Sequence, residues 1–296
     1  MRIIIVYNPQ AAHGRTKKIL PRVNALFEEK GIDVDIHMTQ YPKNGIEIVK
    51  EINFAEYDGI IAAGGDGTLF EVINGYFLNP GKKRIPIGIL PIGTGNAFAK
   101  DLYVDSSKWE DAIDVISLNR PKKVDVGRVK TQGKEFYYMN ILGLGFVSDV
   151  TKTAYRLKFF GNISYTLGVL YQTAFLKPHQ LTIELDGKKL TRENIFVEIS
   201  NTRYTSNFFM APAAKIDDGF LDVTLLKKTT RRKLLKAFPK VFTGEHVNLD
   251  IVETFKAQHI KIATDIPKVL TPDGEIFGET PLEIDCLEKA VEIFAG

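Results

Sequence analysis

The chain is poor in cysteine, has no long apolar run and carries almost no excess of either charge. Cys286 stands alone, so an intramolecular disulfide and a cysteine-based metal centre are both excluded. It reads as a small buried hydrophobe in a protein of a reducing compartment. The apolar run Ile3-Ile4-Ile5-Val6 is too short for a secretion signal, and no segment has the length to span a bilayer. Together these features point to a soluble, cytoplasmic protein. The net charge of +3 is small and the basic residues are dispersed, which gives no footing for a nucleic-acid partner. His13, His37, His179, His246 and His259 show no metal-ligand spacing. There is no G-x-x-x-x-G-K-[ST] and no G-x-G-x-x-G after the first strand, which argues against a Walker-type site and a dinucleotide oxidoreductase. Neither internal repeats nor low-complexity tracts occur.

What is present suits two domains, since 296 residues allow two real cores. As far as Pro121 the chain alternates strand and helix signals, the pattern of a parallel sheet covered by helices. Ile3 to Val6 reads as a buried strand, Thr16 to Lys30 as a helix closed by Gly31, and Ser106 to Leu118 as another helix. Beyond Pro121 the texture becomes antiparallel, with alternating strands and a strong hairpin turn at Asp186-Gly187. Helices interrupt this half near 151–176 and 230–243. The division expected is therefore an α/β domain over 1–121 and a β-rich sandwich or barrel over 122–296, with the last few residues returning to the first domain.

The most informative stretch is Gly64-Gly65-Asp66-Gly67-Thr68, between the apolar run Ile60 to Ala63 and a helical pattern. Glycines at such a turn let backbone approach a ligand, and the N–H groups opening a helix favour an anion such as phosphate. Asp66 would repel a bare phosphate, which calls for a metal or water network between them. A second turn of this kind, Gly93-Thr94-Gly95-Asn96, follows Ile87 to Leu90. With Asn8-Pro9 and Thr39, four turns follow strand ends, which in a parallel sheet share one ligand-binding edge.

These motifs resemble the diacylglycerol kinase catalytic-domain family, which includes bacterial lipid kinases and sphingosine and ceramide kinases. The resemblance runs through Asn8-Pro9, Gly64 to Thr68, Leu90 to Ala99, Val124-Asp125-Val126-Gly127, Ala211 to Asp222 and Asp273-Gly274-Glu275. It implies an NAD kinase-like α/β nucleotide domain, a β-rich lipid domain and a cleft between them. It implies ATP contacts at Asn8, Pro9, Gln10, Ala11, Ala12, Thr39, Gly65, Asp66, Gly67, Thr68, Leu69, Phe70, Glu71 and Thr94. Asp66 and Asp125 would organise the Mg²⁺ that travels with ATP, and Glu275 would take the proton from the lipid hydroxyl. Asp218, with the backbone carbonyls of Lys215 and Phe220, would hold a second, structural Mg²⁺.

The chain departs from the family pattern at two positions. Ala12 replaces the usual glycine, and Ala97 stands where many bacterial diacylglycerol kinases have Asp, as in the sphingosine-kinase pattern. The activity implied is ATP-dependent phosphorylation of a membrane-lipid hydroxyl, diacylglycerol-like or sphingoid-like, with peripheral contact at the inner membrane face. An NAD kinase, which shares Gly-Gly-Asp-Gly-Thr, and a catalytically silent lipid or nucleotide sensor remain the alternatives. A homodimer stays open. The basic segment Arg231 to Phe242 reads first as a core-packing helix with a solvated rim, and membrane contact is its second reading. Tyr155 to Phe160 is a further candidate for docking to anionic lipid.

Overall fold

Ile3, Ile4, Ile5 and Val6 have no polar face, and the strand they form is buried on both sides of a sheet. The computed structural model describes residues 1–102, 108–145, 153, 168 and 178–295. Ser106, Ser107, most of the helix expected over 151–176 and the Tyr155 to Phe160 segment lie outside the described residues.

The chain divides into two compact units, Met1–Val126 with Glu288–Gly296, and Gly127–Leu287. The division falls inside a strand, at Val126/Gly127, and not at the Pro121 change of texture.

In the first unit, β1 (Arg2–Tyr7), β2 (Asp33–Met38), β3 (Gly59–Gly64) and β4 (Ile87–Pro91) form a parallel sheet in the order β4-β3-β1-β2. The returning C-terminal segment pairs parallel with β4 through Ile293 and Ile87. Helices α1 (Thr16–Glu29), α2 (Asn44–Glu51), α3 (Asp66–Leu78), α4 (Ala97–Asp101) and α5 (Asp111–Ser117) supply the covering layers. One core joins Ile3, Ile5 and Tyr7 to Phe27, Ile61, Leu90, Ile116 and Phe294. Helix α3 is buried around most of its circumference, and Gly75 lets α2 pack against it, because a Cβ there would press on Val49 and on the Ile46 carbonyl.

The second unit is antiparallel throughout its recorded pairings. Its described strands are the latter part of β5 (Pro121–Thr131), β6 (Lys134–Tyr138), β7 (Ile141–Gly145), β8 (His179–Leu185), β9 (Lys188–Ser200) and β10 (Leu221–Lys227). After helix α6 (Arg231–Ala237) come β11 (Val252–Ala257), β12 (His259–Thr264), β13 (Leu270–Pro272) and the start of β14 (Leu282–Phe294). Strand β9 pairs β8 along its first half, then β7 and β10 along its second. The Asp186-Gly187 hairpin forms as expected, with both residues at positive φ. Cys286 is only half-buried, so the fully buried position expected for it is not what the fold provides.

Glu198 lies in the interior of this unit, opposite Gly143 on β7 and Thr224 on β10, and is 1% exposed. Its Oε1 accepts hydrogen bonds from Thr205 Oγ1 at 2.8 Å and Ser200 Oγ at 3.3 Å. Burial pushes the carboxyl up to about 7, and the two hydroxyls oppose this only in part. The unfolded chain titrates the same group near ~4.3, so the folded state holds the proton more tightly. Its contribution to stability is complete below that pH and is lost as pH rises toward about 7. Glu198→Gln should abolish this decline and leave the variant ~3 kcal/mol more stable than wild type at mildly alkaline pH. Denaturant melts across the range measure the difference. A wild-type profile as flat as the variant's would contradict the burial argument.

Candidate active site

The parallel register sets the carboxyl ends of four strands level: Tyr7 lies beside Met38 and Ala63, and Gly64 beside Pro91. The loops leaving these ends carry Asn8 to Gly14, Thr39, Gly65 and Gly93 to Asn96. Thr39 is buried and donates its N–H to the Tyr7 carbonyl at 2.9 Å. Asn8 donates its N–H to the Ala63 carbonyl at 2.9 Å, accepts from the Gln10 N–H at 2.9 Å and donates its Nδ2 to Thr68 Oγ1 at 3.3 Å. That last bond ties the first loop to the first turn of α3. Pro9 follows directly, and Ala11 and Ala12 open a short 3₁₀ turn. Ala12 has φ +47, the left-handed region that a glycine would enter without its Cβ penalty.

The two glycine turns are locked together. Gly93 donates its N–H to the Gly64 carbonyl at 2.9 Å, and a Cβ on Gly93 would run into the Gly65 backbone. Asn96 is in the left-handed conformation, and its Nδ2 turns back to the Pro91 and Gly93 carbonyls at 3.1 and 2.9 Å. It therefore makes no side-chain cap for α4. Asp66 supplies that cap from the other turn: its Oδ1 accepts from Ala97 N–H at 2.7 Å and Phe98 N–H at 3.4 Å. Gly95 leaves room beside it, because a Cβ there would press on Asp66 Oδ2. One carboxylate thus sits in the first turn of α3 and at the start of α4, where both backbones favour negative charge.

Burial lowers the pKa of Lys100 on α4, and the charge of Asp66 opposes that shift. Asn96 Oδ1 is buried with no hydrogen-bond partner, an acceptor suited to a hydrated cation or a ligand N–H or O–H. Asn96 and Lys100 were not picked out by sequence reasoning. The available signal was the Asn that closes the second glycine turn.

The structure gives other residues of the expected ATP set a structural task. Glu71 spends both carboxylate oxygens on the start of α2, accepting from Lys43 N–H and Gly45 N–H, each at 2.8 Å. Leu69 and Phe70 bury their side chains in the core, while Thr94 is exposed at the tip of the second turn. Asp125, expected to help organise the Mg²⁺ of ATP, is fully buried, and its Oδ1 accepts the Lys289 N–H at 2.7 Å, which fastens the returning C-terminal segment.

Glu275 and the Asp218 set belong to the second unit. Asp273 anchors the Glu275 turn: Oδ1 accepts from Asn140 and Ile141 N–H at 2.9 and 3.0 Å, and Oδ2 accepts from Met139 N–H at 3.1 Å. Glu275 N–H closes the turn on the Pro272 carbonyl at 2.8 Å, and the residue is half-buried. Asp218 Oδ1 accepts from the Phe220 N–H at 3.2 Å, and Oδ2 from Lys256 Nζ at 2.7 Å. Lys256 also lies 3.4 Å from Asp222 Oδ2. Burial pushes the Asp222 carboxyl up to about 6 against the pull of Lys256. Burial likewise disfavours the Lys256 ammonium, yet its hydrogen bond to Asp218 and the charge of Asp222 hold its pKa above the usual value. Among the described residues no group of three or more His, Cys, Asp or Glu is placed to hold a metal. The oxygen donors at Asp218 and Asp222 suit Mg²⁺ chemically, and Lys256 competes for them.

An open parallel sheet with two interlocked glycine turns at its carboxyl edge defines a phosphate-handling α/β protein. Residues 2–129 match the family model described as the diacylglycerol kinase catalytic domain. Residues 140–295 match the model described as the YegS C-terminal NAD kinase beta sandwich-like domain. The chain is 31% identical to a Bacillus subtilis diacylglycerol kinase, over 99% of this chain and 95% of that one. It is 29% identical to a Staphylococcus carnosus diacylglycerol kinase, over 99% and 94% respectively. A solved Bacillus anthracis structure assigned to the diacylglycerol kinases superposes with a TM-score of 0.78 at 28% identity, covering 100% of this chain and 97% of that one. The chain belongs to the diacylglycerol kinase family, and by class it is an ATP-dependent lipid kinase in preference to an NAD kinase.

Asp66→Ala removes the α4 cap and the charge together. It should cost ~1 kcal/mol of stability, as lost caps do, and abolish phosphoryl transfer. Asp66→Asn retains a capping oxygen, so its melt should return close to wild type while transfer stays lost. Thermal melts and labelled-ATP transfer read the two effects separately. Full activity in Asp66→Asn would reduce Asp66 to a cap.

Proposed function

We propose that this chain transfers the γ-phosphate of ATP to the free hydroxyl of a diacylglycerol-like lipid at the inner face of the membrane, within phospholipid metabolism. The observation that carries the reading is the pair of glycine turns bridged by Asp66, which presents two helix starts at one edge of the sheet. The names of the curated relatives favour diacylglycerol as the acceptor. Among the described residues no helix is long and apolar enough to cross a membrane. In this reading the lipid is met by peripheral contact.

Asn8 to Ala12, Thr39, Gly65 to Glu71 and Thr94 hold the nucleotide in this reading, largely through main-chain N–H groups and hydroxyls. Mg²⁺, organised by Asp66 and Asp125, would neutralise charge on the phosphates. The unpartnered Asn96 oxygen fits such a hydrated cation. Phosphoryl transfer depends on positioning and charge neutralisation more than on covalent help from the protein. Glu275 serves as the base for the acceptor hydroxyl, and the triply bonded Asp273 carboxylate keeps its turn in place.

The decisive experiment supplies labelled ATP with purified diacylglycerol, sphingoid base, ceramide or NAD, and identifies the product by mass. Labelled phosphatidic acid is the expected product; labelled NADP would overturn the reading, and binding without transfer would select a silent sensor. Glu275→Gln should bind ATP normally, melt near wild type and turn over at least ~10²-fold more slowly. An unstable variant with most of its turnover would instead mark Glu275 as a structural turn residue.

A structural Mg²⁺ at Asp218 and the carbonyls of Lys215 and Phe220 must displace Lys256 from Asp218. Lys256→Met removes that competitor. Nucleotide-free melts should show a larger Mg²⁺-dependent rise in Tm for the variant than for wild type. If neither responds to Mg²⁺, the metal assignment falls and Lys256 alone neutralises the acids.

A further inference from the structure

Between Asp222 and Glu245 the chain carries many Lys and Arg but no acidic residue. The fold turns this stretch into a surface. Thr230 caps α6 by accepting the Lys233 N–H at 3.3 Å, and a 3₁₀ turn at Phe238–Val241 continues the helix past Pro239. Leu234 and Ala237 face inward, onto Ile195, Leu226 and Ile251. Leu235 and Phe242 do not. They are 43% and 46% exposed, although the sequence places them with Leu234 on one expected core face.

Phe242 is not a stray side chain. Its ring packs on Phe208 at 4.9 Å and on Phe238 at 5.6 Å, and the Val241 carbonyl accepts the Phe209 N–H at 2.9 Å. The apolar tip is therefore held in place by the body of the unit. Around it, Arg231, Arg232 and Lys236 are exposed and Lys240 is half-exposed, and none of the four makes an ion pair among the described residues. Lys233 reaches only Asp250, at 3.5 Å, with both side chains solvated. Two exposed large hydrophobes on one short segment with four uncompensated cations fit one occupant by charge and polarity: the headgroup layer of an anionic membrane.

We propose that α6 and the following 3₁₀ turn form the membrane-docking surface of this protein, with Leu235 and Phe242 inserting among lipids and Arg231, Arg232, Lys236 and Lys240 contacting anionic headgroups. The proposal deepens the lipid-kinase reading, on which its purpose rests, but binding itself is measurable without catalysis. Seven residues of helix make this a local foothold, not a long interfacial anchor.

Two variants separate the forces: Arg231→Gln/Arg232→Gln/Lys236→Gln removes charge, and Leu235→Ser/Phe242→Ser removes the apolar tip. Both alter exposed side chains outside the proposed catalytic and nucleotide-binding machinery. Sedimentation uses phosphatidylcholine vesicles, with and without half of the lipid replaced by phosphatidylglycerol. Wild type should partition to the anionic vesicles alone; the charge variant should lose roughly a hundredfold in partition, and the apolar variant should lose at least ~10-fold. Transfer to lipid dispersed in neutral detergent micelles should be unchanged in both.

Wild-type binding to anionic vesicles without any kinase activity would retain the docking surface and overturn the function. Normal kinase activity with vesicle binding insensitive to both variants would overturn the docking surface and retain the function. Loss of oligonucleotide binding in the charge variant, with vesicle binding intact, would reassign the cations to a nucleic acid and also overturn the proposal.

Discussion

A single carboxylate, that of Asp66, joins the two glycine turns at the carboxyl edge of the parallel sheet. The parallel register of β3 and β4 delivers Gly64 and Pro91 side by side. The left-handed Asn96 leaves α4 without a cap of its own, and Asp66 fills the place from the opposite turn. Three glycines make room around it. Gly93 permits the turns to touch, Gly95 clears the carboxylate, and Gly64 leaves room for Thr68, which itself meets Asn8. The turns are thereby preorganised before any ligand arrives, which is where phosphoryl-transfer proteins place most of their effort.

The second unit also uses acids to fasten its turns. Asp273 satisfies three consecutive backbone N–H groups and so holds the Glu275 turn. Asp218 closes its own turn on Phe220 while sharing Lys256 with Asp222. A carboxylate is expensive to bury unless hydrogen-bonded, and each of these acids is hydrogen-bonded.

Much of this was legible in advance. The alternation of strand and helix before Pro121, the change to antiparallel texture after it, and the Asp186-Gly187 hairpin are local signals of period and turn chemistry, and the fold follows them. The lipid-kinase class was likewise readable from six ordered motifs. The second task of the motif residues was not. Glu71, expected in the ATP set, also caps α2 with its oxygens; Asp125, expected to help organise Mg²⁺, is buried with an oxygen on the Lys289 N–H. Both partners are backbone N–H groups, which every residue except proline carries, so no residue type in the sequence marks them.

The fate of Leu234 and Leu235 shows the same division. By period both belong to one apolar stripe of α6, yet Leu234 is buried and Leu235 lies open. How much of a helix is covered depends on what packs against it, and here that is Ile195 of β9, distant in sequence, together with Leu226 and Ile251, which flank α6 in the chain. By itself the sequence determined the elements, their turns and the class of chemistry, because these rest on contacts within a few residues. Only the tertiary structure decided which carboxylates serve backbone, which apolar side chains stay in solvent and which cations lack a counter-charge, because those outcomes depend on partners far apart in the chain.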